Sequence, residues 1–184
     1  MFIFSCLWLK NINGMRIAIL GTHKVGKTTL AEKLHETLPD YEFYSEPYFE
    51  LQEMGFDFSE TPTADDYIIQ LEHSLKQIVR SNKNAIFDRC PIDLLAYALA
   101  VDDKLNFSSI FNKIQNAIKE IDVFVFVPIE QPDRILCSDS DLPELRSEVN
   151  DVIRELIDDF DLEVIEVRGS LSERLNQVQN KIEH

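Results

Sequence analysis

Residues 21–28, with the sequence GTHKVGKT, match the G-x-x-x-x-G-K-[ST] pattern of a phosphate-binding loop. In such a loop the glycines let the backbone turn so that successive N–H groups point at phosphate oxygens. Lys27 is expected to reach the β- and γ-phosphates, and Thr28 is expected to give its hydroxyl to Mg²⁺. The pattern therefore predicts binding of a nucleoside triphosphate, with ATP and Mg²⁺ as the expected ligands.

The flanks of this loop fit the same interpretation. Residues 16–20 are apolar enough for a short buried strand, and Leu30, Leu34 and Leu38 recur at helical spacing after the loop. A helix that begins there adds its partial positive charge at the phosphates. His23 is expected to contribute only its backbone. The residues expected to contact the nucleotide in this region are Gly21, Lys24, Val25, Gly26, Lys27, Thr28 and Thr29.

Two further groups that could do chemistry follow predicted strands. Asp88 ends the apolar segment 85–87, where an acidic residue that orients Mg²⁺ is expected. Arg89 places a cation where ATP-hydrolysing machines typically carry a glutamate that activates water, and this favours phosphoryl transfer. Glu46 follows the predicted strand 41–45 and is a candidate base for a substrate hydroxyl. The alternatives are a strand-end ion pair for Asp88 and Arg89, and a solvated turn carboxylate for Glu46.

The elements that must position these groups alternate between strand and helix. Thr63 is expected to cap a long helix after the second strand, and the unbroken apolar run at 123–127 predicts a central strand buried on both faces. The alternation predicts an α/β fold, a P-loop NTPase three-layer sandwich with a five-stranded parallel sheet and helices on both faces. Parallel strands end at one edge, so the phosphate loop, Glu46 and Asp88 are expected to converge there. The predicted strands are 16–20, 41–45, 85–87, 123–127 and 162–167.

Composition limits the possible partners and the compartment. The net charge of −15 argues against nucleic acid and anionic membranes as partners. The three cysteines are far apart, which indicates neither a zinc site nor a disulfide framework and favours a cytoplasmic location. One domain is expected over residues 15–184. We interpret residues 1–14 as an extension outside the fold, with Met15 as an alternative translation start and a lipid-contacting or partner-binding arm as the alternative.

Three short segments carry a resemblance to known enzymes. Gly26-Lys27-Thr28, Ser45-Glu46-Pro47 and Asp88-Arg89-Cys90 together resemble the deoxynucleoside kinases, which have Glu-Pro after the second strand and Glu-Arg-Ser after the third. The resemblance implies that Glu46 is the base, Asp88 the metal-side carboxylate and Arg89 a phosphate contact. The aspartate-arginine form is more similar to the thymidylate kinases.

A third resemblance covers nearly all of residues 15–184. Segment 87–97, FDRCPIDLLAY, is similar to a family of small bacterial P-loop proteins, AAA-type predicted ATPases or kinases related to the ribosylnicotinamide kinase domain. In these folds the loop after the last strand passes the adenine. The resemblance therefore implies that Arg168, Gly169 and Ser170 line the base, with an ordinary strand-to-helix turn as the alternative.

The connector 128–143 occupies the lid position of P-loop kinases. Arg134 is its only arginine and is a candidate to act on the phosphates, with a solvated loop charge as the alternative. The acceptor is expected to bind between Glu46 and the long helix, because aromatic side chains that could stack on a flat ring cluster there with Gln70. The alternative for each of these aromatic residues is burial in the core. These aromatic residues are Tyr48, Phe49, Phe56, Phe58 and Tyr67.

Together these features predict a P-loop small-molecule kinase. It would transfer the γ-phosphoryl group of Mg-ATP to a hydroxyl or phosphate of a nucleoside- or nucleotide-like acceptor. The alternative is a regulatory P-loop ATPase that binds or slowly hydrolyses ATP and acts through a protein partner. The sequence leaves the acceptor and the oligomeric state open.

Overall fold

The computed structural model describes residues 14–182, so the extension predicted for residues 1–14 lies, apart from Gly14, outside the described residues. Its five strands form one sheet in the order β2-β3-β1-β4-β5, and all four pairings are parallel. This confirms the predicted sheet. The strands are β1 (Arg16–Leu20), β2 (Glu42–Tyr44), β3 (Ala85–Asp88), β4 (Val123–Phe126) and β5 (Val164–Glu166).

The helices lie in the connections between strands, and a 3₁₀ turn, Asp139–Asp141, precedes α6. Within residues 14–182, no helix has the length and apolar character needed to cross a bilayer. The helices are α1 (Lys27–Thr37), α2 (Pro47–Glu53), α3 (Ala64–Arg80), α4 (Pro91–Val101), α5 (Ser108–Ile118), α6 (Pro143–Asp159) and α7 (Leu171–Ile182).

Successive residues of β1 enter two separate cores. Ala18 and Leu20 pack with α3, α4, α5 and α6, whereas Ile17 and Ile19 pack with α1 and α7 on the opposite face of the sheet. This is the alternation of side chains expected along a strand. Because both faces are covered, β1 is buried almost throughout, and the predicted three-layer sandwich is confirmed.

The start of α3 is fixed locally by a reciprocal cap. The hydroxyl of Thr63 accepts a hydrogen bond from the N–H of Asp66 at 3.3 Å, and the Asp66 carboxylate accepts one from the N–H of Thr63 at 2.9 Å. The predicted cap is therefore confirmed.

The strands predicted at 41–45 and 162–167 are shorter in the structure. Both are edge strands, with a partner on one side only. The ends of an edge strand have fewer ladder hydrogen bonds available to them, so they leave the sheet sooner.

Candidate active site

The carboxyl edge of the sheet brings together the groups singled out in the sequence. β1, β3 and β2 are neighbours in the sheet. The phosphate-binding loop follows β1, Asp88 is the last residue of β3, and Glu46 lies two residues after β2. β1 also lies between β3 and β4, which is where the chain switches from one side of the sheet to the other. Such a switch point is the usual ligand-binding position in a parallel sheet.

Glycine is required at the start of the loop because the backbone approaches β4 closely. A Cβ atom on Gly21 would lie 2.4 Å from the carbonyl oxygen of Val127, and Gly21 has a φ of +149°. Gly26, which precedes α1, has a φ of +88° in the left-handed region. Side chains at both positions would strain the turn that exposes the loop N–H groups.

Two buried arginines bind three successive carbonyl groups of the loop. Arg146 donates from Nε to the carbonyl of His23 and from NH2 to the carbonyl of Lys24, both at 3.0 Å. Arg174 donates from NH1 to the carbonyl of Val25 at 2.6 Å. Both guanidinium groups are therefore integral parts of the loop structure.

This arrangement determines where the loop N–H groups point. In a trans peptide the C=O of one residue and the N–H of the next point in opposite directions. Because the carbonyls of residues 23–25 face the arginines, the N–H groups of Lys24, Val25 and Gly26 point away from them, toward the inside of the loop. These N–H groups belong to three of the residues predicted to contact the nucleotide.

Two carboxylates hold these arginines in place. Asp133 forms an ion pair with Arg146 at 2.5 Å, and Glu130 forms one with Arg174 at 2.6 Å. Glu130 also accepts a hydrogen bond from the N–H of Gly169 at 3.0 Å. Desolvation raises the pKa of Glu130, but the hydrogen bonds from Arg174 and Gly169 outweigh it and lower this pKa to about 2.

The role of these two arginines was not predicted from the sequence. The sequence feature that could have identified them is a charged residue within the apolar stripe of a helix. Arg146 precedes Val149 by three residues and Arg174 precedes Val178 by four, and all four side chains are buried. A buried arginine requires polar partners, which in this fold are the loop carbonyls.

Lys27 lies inside the loop and donates from Nζ to the carbonyl of Thr22 at 2.8 Å. Its side chain is buried, and burial together with the charge of Arg89 lowers the pKa of Lys27 to about 8. An anion bound in the loop would raise the pKa of Lys27 again, since it would favour the charged form of the amine.

Asp88 and Thr28, the residues predicted to hold Mg²⁺, place a carboxylate beside a hydroxyl. The Asp88 carboxylate is buried, and its Oδ1 atom has no hydrogen-bond partner. Burial raises the pKa of Asp88, against the opposing effects of Lys27 and the Thr28 hydroxyl. An unpaired buried carboxylate oxygen next to a hydroxyl fits a hard cation. The described residues contain no group of three or more metal-ligating side chains, so further ligands would come from nucleotide and water.

Arg89 and Glu46 form a buried ion pair, with 2.6 Å between NH2 and Oε1. Arg89 also lies over the ring of Tyr97, 5.0 Å from its centroid, and has a φ of +94°. A left-handed arginine at a strand end is a strained conformation of the kind that occurs at functional sites. Burial raises the pKa of Glu46, but Arg89 and Lys27 outweigh it and hold that pKa below its ordinary value. Glu46 is therefore a carboxylate at neutral pH.

Asp93 connects the start of the loop to the start of α4. Its Oδ1 atom accepts a hydrogen bond from the N–H of Gly21 at 2.6 Å, and Oδ2 accepts one from the N–H of Cys90 at 2.9 Å. The bond to Gly21 was not anticipated from the sequence. The local signal was an acidic residue three positions after the helix cap, with Pro91 at the first helical position.

The prediction that His23 contributes only its backbone was wrong. Its Nδ1 lies 2.7 Å from the hydroxyl of Tyr97, and its Nε2 lies 2.6 Å from the carbonyl of Asp141. Burial lowers the pKa of His23, so the ring is neutral. The Asp141 carbonyl requires the proton on Nε2, and Nδ1 accepts from Tyr97. The imidazole thus connects α4 to the 3₁₀ turn across the loop.

The lid candidate Arg134 lies away from the acceptor side. Its Nε donates to Glu130 at 2.9 Å, and the side chain is half exposed. It lines a small cleft with Val25 and Arg174. Of the residues predicted to line the adenine, Gly169 is bound to Glu130 as described above, whereas Ser170 is bound to Glu173.

A cavity of about 510 Å³ adjoins the ion pair on the side of α3. Stacked aromatic pairs, Tyr48 on Phe58 and Tyr67 on Tyr97, each with ring centroids 4.8 Å apart, contribute to its wall. Of the other two predicted aromatic residues, neither Phe49 nor Phe56 lines it. The lining residues are His23, Glu46, Tyr48, Phe58, Ser59, Glu60, Pro62, Asp66, Tyr67, Gln70, Arg89, Tyr97, Ser140, Asp141, Leu142 and Leu145.

The sheet order, the loop and the groups around it define a P-loop nucleotide-binding protein with a kinase-type fold. The family AAA_28, described as an AAA domain, matches residues 16–174. The chain belongs to this family, which confirms the predicted membership. No curated protein matches the chain.

Several solved structures share this fold. NadR, in complex with NAD and AMP-PNP, superimposes with a TM-score of 0.70 and 19% identity over 91% of this chain and 49% of NadR, so the chain spans about half of NadR. The deoxyadenosine kinase from M. mycoides with bound dATP has a TM-score of 0.64 and 20% identity, over 92% and 100% of the two chains. The thymidylate kinase from Candida albicans has a TM-score of 0.63 and 17% identity, over 93% and 94%. These likenesses confirm the predicted fold.

Proposed function

We propose that the chain is a kinase that transfers the γ-phosphoryl group of ATP to a nucleoside- or nucleotide-like small molecule. The observation that carries this proposal is the position of the 510 Å³ cavity, whose wall includes both Glu46 and Arg89. A candidate base thus faces a space large enough for an acceptor, next to the phosphate-binding loop. Phosphoryl transfer requires such a space for its acceptor, whereas hydrolysis requires room only for a water molecule.

In the proposed reaction the triphosphate lies in the loop, against the N–H groups of residues 24–26 and Lys27. Glu46 accepts the proton of the acceptor hydroxyl, and the oxygen attacks the γ-phosphorus in line as the bond to the β–γ bridging oxygen breaks and ADP leaves. Lys27 and Arg89 stabilise the charge on the transferred group. Thr28 and Asp88 would hold Mg²⁺, which supplies neutralisation of phosphate charge when bound.

Two further residue roles complete this proposal. Gly169 and Ser170 would line the adenine, since Gly169 connects to the loop through Glu130 and Arg174. Arg134 would act on the phosphates only after its Nε leaves Glu130. Because the cysteines are scattered in the sequence and Cys90 is buried, we also propose a cytoplasmic location.

The test is ADP production by the purified protein with Mg-ATP, alone and with a panel of nucleosides, nucleoside monophosphates and nicotinamide riboside. Acceptor-dependent turnover that disappears in Lys27→Ala and persists in Lys33→Ala would support the kinase. Lys33 is the matched control because it lies on the same helix and pairs with Glu36 at the surface. Tight ATP binding with turnover that no acceptor changes would contradict it.

The second candidate is a regulatory ATPase that acts through a protein partner. The observation that favours it is the acidic connector, whose single arginine is paired with Glu130. A slow basal ATPase that ignores every acceptor would favour this candidate over the kinase.

A further inference from the structure

The charged groups of the acceptor cavity are mostly acidic. Among the lining residues, the carboxylates are Glu46, Glu60, Asp66 and Asp141, whereas Arg89 is the one permanent cation. His23 is neutral for the reason given above. The cavity therefore presents an excess of negative charge to whatever enters it.

Ion pairs remove only part of this excess. Glu46 is neutralised by Arg89, and Asp141 lies 3.3 Å from the ammonium of Lys24. Glu60 has no ion-pair partner among the described residues. The Asp66 carboxylate accepts hydrogen bonds from Thr63, which neutralise no charge. Two uncompensated carboxylates therefore remain in the wall.

In the proposed reaction Arg89 is already committed to Glu46 and to the transferred phosphoryl group. Its NH2 is held by Glu46, and its buried Nε and NH1 atoms, which have no hydrogen-bond partner in the structure, are the donors left for that phosphoryl group. No other arginine or lysine lines the cavity within residues 14–182. A second phosphate, carried by the acceptor, would therefore find no further arginine or lysine, the usual protein ligands of phosphate.

The aromatic part of the wall suits a flat ring that carries no negative charge. Tyr48, Phe58 and Tyr67 are half-buried in this wall, and the quadrupole of an aromatic ring attracts cations and tolerates neutral rings. Tyr97 supports the wall from behind, since it is buried, stacks on Tyr67 and contacts Arg89. Gln70 is buried in the same wall, and its amide supplies hydrogen-bonding capacity for the edge of a ring.

We propose that the acceptor is an unphosphorylated nucleoside-like alcohol, neutral or positively charged, and that nucleoside monophosphates are rejected by the carboxylates of Glu60 and Asp66. This inference rests on the proposed kinase function and narrows its acceptor class. A monophosphate carries a charge of about −1.5 to −2 at pH 7, so it would face like charges without a compensating cation.

The experiment compares matched pairs of acceptors. Adenosine with AMP, cytidine with CMP, and the cationic nicotinamide riboside with its mononucleotide are each tested for ADP formation and, by calorimetry, for binding to protein loaded with a non-hydrolysable ATP analogue. We expect at least one nucleoside to bind about tenfold or more tightly than its monophosphate and to be the phosphorylated member of its pair.

The second part of the experiment reverses a charge in the cavity wall. Glu60→Lys should narrow the ratio of nucleoside to monophosphate affinity by about 3- to 10-fold, because it replaces repulsion with attraction. The matched control is Glu53→Lys, which makes the same change at an exposed position of α2 outside the lining. It should leave the ratio unchanged.

The outcomes separate the two proposals. Turnover of monophosphates in preference to nucleosides would overturn this inference and leave the kinase standing. An equal decrease in the ratio of nucleoside to monophosphate affinity in Glu60→Lys and Glu53→Lys would also overturn it, since the effect would then come from the overall charge of the protein. Selective nucleoside binding without ADP formation would support the inference about the cavity and overturn the kinase. Absence of binding by either member of every pair would overturn both.

Discussion

The Oδ1 atom of Asp93 lies 2.6 Å from the backbone nitrogen of Gly21, and this bond fastens the first residue of the phosphate-binding loop to the first turn of α4. The second carboxylate oxygen caps the same helix by accepting from the N–H of Cys90. One fully buried side chain thus positions the loop relative to the end of β3, where Asp88 and Arg89 lie.

Asp93→Asn is expected to destabilise the protein and weaken ATP binding. Both carboxylate oxygens accept from backbone N–H groups, and the amide nitrogen of asparagine would oppose one of them. A buried donor left without an acceptor costs about 1–3 kcal/mol. Chemical unfolding and calorimetric ATP titration measure the two effects. Asp103→Asn at an exposed position after α4 is the control, and equal effects of both substitutions would refute the role of Asp93.

Arg146→Met is expected to weaken ATP binding by about tenfold or more, because it leaves the carbonyls of His23 and Lys24 without donors and frees the loop to turn. The matched substitution is Arg154→Met, on the same helix, which removes an exposed ion pair with Glu166. We expect little change in ATP affinity for that control. Calorimetric titration measures the affinity of both variants for ATP. An unaltered ATP affinity in Arg146→Met would show that the loop holds its conformation without this arginine.

Glu46→Gln is expected to lower kcat by about 10²- to 10⁴-fold while ATP affinity changes little, since general-base catalysis contributes about this much. Glutamine keeps an oxygen for the guanidinium of Arg89 but cannot take the proton. Steady-state kinetics with the best acceptor would measure kcat, and Glu53→Gln on the exposed side of α2 serves as the control. A kcat within a factor of about three of the parent value would exclude Glu46 as the base.

ATP binding is expected to take up a proton at alkaline pH. The pKa of Lys27 is about 8 in the free protein, and bound phosphates would raise it. Below that pKa Lys27 is already charged, so affinity changes little with pH. Above it, affinity should fall by up to about tenfold per pH unit, because each binding event must first protonate the amine.

Calorimetry in buffers of different ionisation enthalpy measures this uptake directly, at about pH 7 and about pH 9. Lys33→Ala should retain the uptake, since Lys33 lies at the surface of α1. An affinity that stays constant across this range would mean that Lys27 is already fully charged in the free loop.

Some features followed from the sequence because they are encoded over short distances. The spacing of glycines in residues 21–28, the alternation of apolar segments and the cap at Thr63 each involve neighbours along the chain. Parallel strands then end at one edge, and this rule alone placed the loop, Glu46 and Asp88 together.

The tertiary structure decided which side chains complete the loop. Arg146 and Arg174 bind loop carbonyls from helices more than a hundred residues away, and Asp93 binds Gly21 across 72 residues. No local periodicity specifies such a partner. A buried charge requires a hydrogen bond, but the neighbouring sequence does not specify the group that forms it. The partner is determined only when the helices pack against the sheet.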